Sequence, residues 1–337
     1  MDILPIKNIM QTNPAHKRHP HDIAYENGAA FTFGRYCSLA QAMVPIFDPG
    51  FYQADAVYDV VSVSRGHIFR FEEHLDRFER SCGNFQLMNP YSKEETTDIL
   101  TNLVKLTGLK DALIYWCVTR GLYSNDGFPD RIDFSSYDNQ FYAYIVPYGS
   151  IVNERQQSMG LNIMVSKKYR RIPPNSVDPT VKNFHGMDLK LALFEASKEG
   201  YEWSVLLDSK GNLTESAGAN IFVLKNKVLF TPDSGCLKGI TRKTTIELCE
   251  ELGLSIKITE VSVKTLLTAD EAFMTSTAGG IMPINSVDDN VLGGVVGPGE
   301  FSTKITNLYW EKRWKGWLGT PIRYDEELSR GIAPIAT

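Results

Sequence analysis

Apolar and polar positions alternate in short runs through the first half of the chain and in longer, mixed runs through the second. Strands are predicted over 30–33 and 43–48. A β-hairpin follows: 56–63 alternates for most of its length, Arg65-Gly66 supplies the turn and 67–71 returns. The segment 72–80 reads as a helix with Glu72 and Glu73 in its first turn, where the helix dipole favours acids. A second helix over 92–106 starts at Ser92 with Glu94 and Glu95, and places Ile99, Leu103 and Leu106 on one face. The apolar runs 112–118 and 140–146 have the length of central strands. Between them, 121–139 is a polar stretch of the size found in lids and binding loops.

Beyond residue 158 the pattern gives a strand at 161–166, then the basic run Lys167-Lys168-Tyr169-Arg170-Arg171, read as a solvated loop. Strands at 203–207, 219–224 and 228–231 are separated by turn-forming Lys210-Gly211-Asn212 and Lys225-Asn226. A helix opens after Gly239 and closes at Gly253, and a strand at 272–274 leads into Thr275-Ser276-Thr277-Ala278-Gly279-Gly280. The expected division is an N-terminal arm at 1–28, a small α+β domain at 29–148, a linker at 149–158 and a larger domain at 159–337. No internal repeat or low-complexity tract is present.

Composition narrows the function classes. The 337 residues are 43% hydrophobic, enough for a substantial core. A net charge of -5 and a pI near 5.8 leave no basic field for nucleic acid. Cys37, Cys82, Cys117, Cys236 and Cys249 are odd in number and form no CxxC pair, as expected of reduced thiols in the cytoplasm. The first thirty residues have no apolar signal-peptide core, and no run approaches membrane-spanning length. His16, His19 and His21 cluster in the N-terminal arm without a set of acids and cysteines to complete a ligand shell, so no metal is expected.

The candidate chemistry centres on Lys182. An Asp178-Pro179 turn precedes it, and Leu189, Ala192, Leu193 and Ala196 follow at helical spacing, so the lysine sits at a junction before a helix. Apolar neighbours, Val181 and Phe184, suit a lysine that works as nucleophile and base. Three further places favour an anion: the helix start Gly239-Ile240-Thr241, the hydroxyl of Thr277 before Ala278-Gly279-Gly280, and the guanidinium of Arg77. Glu215 could partner a heterocyclic N–H. Tyr58 and Val60, two apart in a strand, face one side.

Together these motifs resemble the fold-type IV aminotransferases that use pyridoxal 5′-phosphate (PLP), the class of branched-chain and D-amino-acid aminotransferases. The resemblance covers about residues 31–309. It rests on Asp178-Pro179-Thr180-Val181-Lys182-Asn183, Leu213-Thr214-Glu215-Ser216-Ala217-Gly218-Ala219-Asn220, Gly239-Ile240-Thr241-Arg242-Lys243 and Thr277-Ala278-Gly279-Gly280. Within the class the chain is most similar to the (R)-selective amine transaminases, through Phe47-Asp48-Pro49-Gly50-Phe51, Tyr58-Asp59-Val60, Phe69-Arg70-Phe71 and His74-Leu75-Asp76-Arg77. The resemblance implies a two-domain α+β fold with the cofactor between the domains, a homodimer, and small-molecule amine and keto-acid substrates. It implies Lys182 as Schiff-base lysine and proton shuttle, and Glu215 as partner of the pyridine nitrogen. Arg77, Ile240, Thr241 and Thr277 are then the phosphate ligands, with Asn220 beside the cofactor.

Tyr58, Val60, Ser276 and Ala278 line the implied substrate pocket, with Gln53 where relatives commonly have histidine and Gly186 where they have tryptophan. The lid position that presents an arginine to the keto acid falls on Asp126, which leaves Arg131 or Arg120 as the cation. The expected reaction is ping-pong transfer from an (R)-primary amine or D-amino acid to an α-keto acid such as pyruvate. The alternatives are a D-amino-acid or branched-chain aminotransferase, an aminodeoxychorismate-type lyase, and a binding protein with an idle lysine.

Overall fold

The computed structural model describes residues 1–5, 28–124 and 133–328, which fall into two compact units. The first unit is built from described residues within 28–149 together with 181–184 and 316–328; the second comprises 1–5, 150–180 and 185–315.

In the first unit, strands β1 (Ala29–Thr32), β2 (Arg35–Cys37), β3 (Ala56–Ser64), β4 (His67–Phe69), β5 (Ala112–Tyr123) and β6 (Tyr137–Pro147) join a short strand, Gly319–Pro321. They form one antiparallel sheet in the order Gly319–Pro321, β4, β3, β5, β6, β1, β2. Val57, Val61 and Val63 of β3 lie in the core with Phe71, Leu75 and Phe78 of helix α1 (Phe71–Asn84) and Ile99, Leu100 and Leu103 of helix α2 (Lys93–Thr107). Alternation turns Tyr58 and Val60 to the opposite face. Ser92 caps α2 through a reciprocal capping box with Glu95, as its sequence predicts.

The expected strand at 43–48 is absent. Met43, Val44, Ile46 and Phe47 are exposed, and the buried Asp48 instead caps the short turn Pro49–Tyr52 by accepting from Gly50 N at 2.7 Å. β5 and β6 also run further than their apolar cores, pairing as far as Tyr123 with Tyr137, so 121–123 and 137–139 are strand and Phe134–Ser136 is a 3-10 turn.

The second unit holds strands β7 (Leu161–Arg170), β8 (Trp203–Leu207), β9 (Leu213–Ser216), β10 (Ala219–Lys225), β11 (Val228–Thr231), β12 (Ser255–Ile258), β13 (Glu271–Ser276), β14 (Gly280–Val287) and β15 (Asn290–Val291). The pairings β10–β13–β14–β7–β8–β9 return to β10, so six strands close into a ring and protect their edges. Helices α3 (Met187–Lys198), α4 (Ile240–Glu251) and α5 (Glu300–Trp314) pack against its strands.

The basic run is not a solvated loop. It continues β7 as far as Arg170 past a bulge between Val165 and Arg170. Glu195 of α3 fixes that bulge, accepting from Ser166 Oγ at 2.6 Å and from Lys168 N at 3.1 Å. The hydrophobic pattern also does not single out α5. Its buried positions include Ser302, Thr303, Thr306, Asn307 and Arg313 beside Ile305, Tyr309 and Trp310, so no apolar stripe marks it.

Gly280, which opens β14, has φ +65, and a Cβ there would lie 2.8 Å from Trp310 Cζ2. Gly280→Ala is expected to lower stability by about 1–3 kcal/mol. Urea denaturation reads this directly, and an unchanged midpoint would contradict the packing described.

Candidate active site

In the first unit the segment 181–184 is fastened onto β3. Val181 enters the core, Asn183 bridges Val57, and Tyr58 N donates to the Lys182 carbonyl at 2.9 Å. Lys182 N donates to Ser81 Oγ at 3.2 Å, and Ser81 Oγ donates to the carbonyl of Arg77, one turn back on α1. The backbone of Lys182 is therefore tied to a strand and a helix, while Nζ lies 4.2 Å from the centroid of the Tyr58 ring. The Phe184 ring also packs on Tyr58, with its centroid 5.3 Å away.

Arg77 is held by a partner that sequence reading did not assign a role. Asp59, between Tyr58 and Val60 but on the core face, accepts from Arg77 Nε at 2.7 Å and Nη2 at 2.6 Å, and its Oδ1 lies 2.8 Å from His74 Nδ1. All three side chains are buried. Burial alone would raise the Asp59 carboxyl, but Arg77 and then His74 hold it well below the usual carboxylate range. Burial lowers His74, against the attraction of Asp59. The bidentate fork uses Nε and Nη2 and orients the guanidinium plane for whatever Nη1 meets.

On the other face of the sheet, Val60 pairs with Tyr115, which stacks on Tyr144 at 4.7 Å. Tyr58, Val60 and these tyrosines make an apolar and phenolic wall. Gln53 is exposed at the end of the Pro49–Tyr52 turn. Arg131 and Asp126 lie outside the described residues, as do His16, His19 and His21. Arg120 is committed: it binds Asp55 through Nε and Nη2, at 2.8 and 3.0 Å, and the carbonyls of Gln86 and Phe85.

In the second unit, register sets the arrangement. Asn220 on β10 pairs with Glu215 on β9 and with Thr275 on β13, so the three share one face of the ring. Glu215 Oε2 accepts from Leu237 N at 3.0 Å, and Asn220 Nδ2 donates to Leu237 O at 2.7 Å. Both peptide groups of Leu237 are thus pinned, which delivers the chain to Gly239, the N-cap of α4. That cap has no side-chain hydrogen bond. A Cβ at Gly239 would sit 2.3 Å from Asn220 Oδ1, so only glycine keeps the backbone this close. The first N–H groups of α4, from Ile240 and Thr241, lie at the positive end of the helix, a geometry that suits an anion.

The β13–β14 turn carries Thr277 and Ala278, and Ala278 O accepts from Ile151 N at 3.0 Å. Ser276 precedes it and pairs with Gly280. Thr275 Oγ1 is buried with no hydrogen-bond partner among the described residues. Gly186 is the N-cap of α3, again without a side-chain bond. Arg171, at the end of the basic run, donates from Nε to Glu215 Oε1 at 2.9 Å and from Nη1 to Asp188 Oδ2 at 2.7 Å. Sequence reading missed Arg171, Asp188 and Asp59. The position of Arg171 last in a basic run ahead of Pro173-Pro174 was the one available signal for it.

The residues fit a phosphorylated heterocycle: an uncapped helix start with a glycine that admits no side chain, an unpartnered buried hydroxyl, and a buried carboxylate at Glu215. Among the described residues no helix is long and apolar enough to cross a membrane.

Residues 56–287 match the family amino-transferase class IV. A Methanocaldococcus jannaschii protein provisionally named a branched-chain-amino-acid aminotransferase is 31% identical over 87% of this chain and 98% of its own. The D-alanine aminotransferase of Bacillus licheniformis is 28% identical over 79% of this chain and 90% of its own. The fold is similar to that of the branched-chain aminotransferase from the archaeon Thermoproteus uzoniensis, solved with norvaline, with a TM-score of 0.77, 26% identity, and coverage of 88% and 99% of the two chains. The family match spans well over half of the sequence, and the chain belongs to the class IV aminotransferases, enzymes that depend on pyridoxal 5′-phosphate.

Proposed function

We propose that the enzyme moves an amino group from an (R)-configured primary amine or a D-amino acid to an α-keto acid such as pyruvate, in two half-reactions at one site. The observation that carries this reading is the wall beside Lys182. Tyr58, Val60 and Tyr115 offer apolar and phenolic surface, and Arg120 is spent on Asp55 and two carbonyls rather than free for a donor carboxylate. A second reading, a branched-chain or D-amino-acid aminotransferase, is favoured by the names of the relatives.

Bound PLP supplies the carbonyl that takes up the amino group and a ring that spreads the charge left when a proton departs. Lys182, its backbone tied to Tyr58 and Ser81, would hold the cofactor through Nζ and would move the proton at the substrate carbon. Glu215 accepts the ring N–H. The N–H groups of Ile240 and Thr241, the hydroxyl of Thr277 and the guanidinium of Arg77 bind the phosphate, with Asn220 fixing the approach of α4. Tyr58, Val60, Ser276 and Ala278 orient the amine, with Gln53 and Gly186 as further pocket positions and Arg131 as the keto-acid cation. A homodimer is supported by the exposed Met43, Val44, Ile46, Phe47, Phe51 and Tyr52, and a cytoplasmic setting by five free cysteines.

The test mixes the yellow holoenzyme separately with (R)- and (S)-1-phenylethylamine, D-alanine and L-leucine. Faster loss of colour with the (R) than the (S) amine is expected; conversion by the amino acids alone would give the second reading. Lys182→Ala should cut turnover at least about a hundredfold while PLP still binds measurably; a variant of wild-type activity would remove the lysine from the mechanism.

Asp59→Asn leaves Arg77 buried without its counter-charge, and a loss of about 3–5 kcal/mol at neutral pH is expected. The folded Asp59 value is depressed, so its contribution is present above the unfolded value and fades as pH drops below about 4 toward the folded one. Denaturant titrations at pH 7 and pH 3 should therefore show the gap to wild type narrowing in acid. A gap of constant size would refute the ion-pair account.

A further inference from the structure

Two carboxylates share one guanidinium in the second unit. The side chains of Arg171, Asp188 and Glu215 are 9%, 9% and 7% exposed. Counted formally, two anions and one cation leave a surplus negative charge. Glu215 alone would neutralise Arg171, and a second buried carboxylate adds a desolvation cost that folding gains little by bearing. Asp188 Oδ2 accepts from both Arg171 Nη1 and Ile172 N, but Oδ1 is buried with no hydrogen-bond partner among the described residues. An unpartnered anionic oxygen is a cost to the fold.

Cys236 lies beside Glu215. Arg242 and Asp233 both act on it and are of opposite sign. Arg242 is engaged with Thr231 Oγ1 and Pro232 O. The Cys236 thiol is pushed up to about 12, first by burial and then by Glu215, so it adds no charge at neutral pH. Taken by themselves, Arg171, Asp188 and Glu215 carry a formal charge of minus one.

We propose that Asp188 is a positioning residue that sets the charge of this site: acting through Arg171, it keeps Glu215 a net-anionic acceptor for the protonated ring nitrogen of bound PLP. The inference rests on the reading of Glu215 as the ring partner. Without Asp188, Arg171 draws on Glu215 alone, and the Glu215 carboxylate becomes a weaker acceptor. The ring nitrogen then gives up its proton at lower pH. The architecture suits the role. Asp188 and Glu195 are two turns apart on α3, so one helix face fixes both the bulge of β7 and the guanidinium that follows it.

Asp188→Asn removes the charge but keeps an amide oxygen for Ile172 N and Arg171. The apoproteins of wild type, Asp188→Asn, Arg171→Gln and Glu215→Gln are reconstituted with PLP labelled with nitrogen-15 in the ring, and the ring-nitrogen NMR shift is followed against pH. Relative to wild type, the protonation midpoint should fall by about one unit in Asp188→Asn. It should hold or rise in Arg171→Gln, where a cation is lost, and the protonated signal should be lost in Glu215→Gln. A wild-type midpoint in Asp188→Asn, with the signal lost in Glu215→Gln, overturns the role of Asp188. A wild-type signal in Glu215→Gln overturns the ring-partner reading itself. Should Asp188→Asn not fold, Arg171→Gln decides: a lowered midpoint there marks structural damage rather than charge-setting and overturns the proposal.

Discussion

The register of one tight hairpin governs the second unit. Ser216 pairs with Ala219 across Ala217-Gly218, and Gly218 takes φ +72, where glycine carries no Cβ penalty. That pairing closes the ring of strands and sets Glu215 directly opposite Asn220. A slip of one residue would turn both side chains to the other face. Leu237 would then lose both of its side-chain partners, the start of α4 its alignment, and Arg171 one of its two carboxylates. The placement of Glu215 and of the start of α4 thus depends on a two-residue turn.

The first unit shows the same economy with different means. β3 presents Tyr58 and Val60 on one face while Asp59 between them points into the core and orients Arg77. A buried carboxylate is tolerated there because a bidentate guanidinium and an imidazole surround it. The wall against which an amine would lie and the group that would bind phosphate are therefore set by three consecutive residues. Alternation along a strand divides one short stretch between binding and support.

How much of this could be read beforehand follows from how local each signal is. The alternation of 56–63, the Ser92 capping box and the helix after Gly239 are written within a few residues of themselves, and each forms as read. The family was legible because its motifs are contiguous. Asp59, Arg171 and Asp188 were not, since a buried ion pair is defined by partners from distant segments and each residue alone resembles an ordinary surface charge. Helix α5 escaped because it buries Ser302, Thr306 and Asn307 along with its aromatics, which erases the apolar stripe. The run at 43–48 misled in the other direction, its apolar residues being exposed rather than paired in a sheet.

The four residues 181–184 belong to the first unit while the chain on either side of them belongs to the second. Val181 completes a core, and Asn183 a bridge, with residues made far earlier in synthesis. The first unit is thus not finished when its own contiguous sequence ends; one interior piece arrives only after the chain has begun the second, and Ile322 later still. Such long-range closure raises contact order and slows the final step of assembly. It also means that the lysine takes its place only in a chain already committed to building both units.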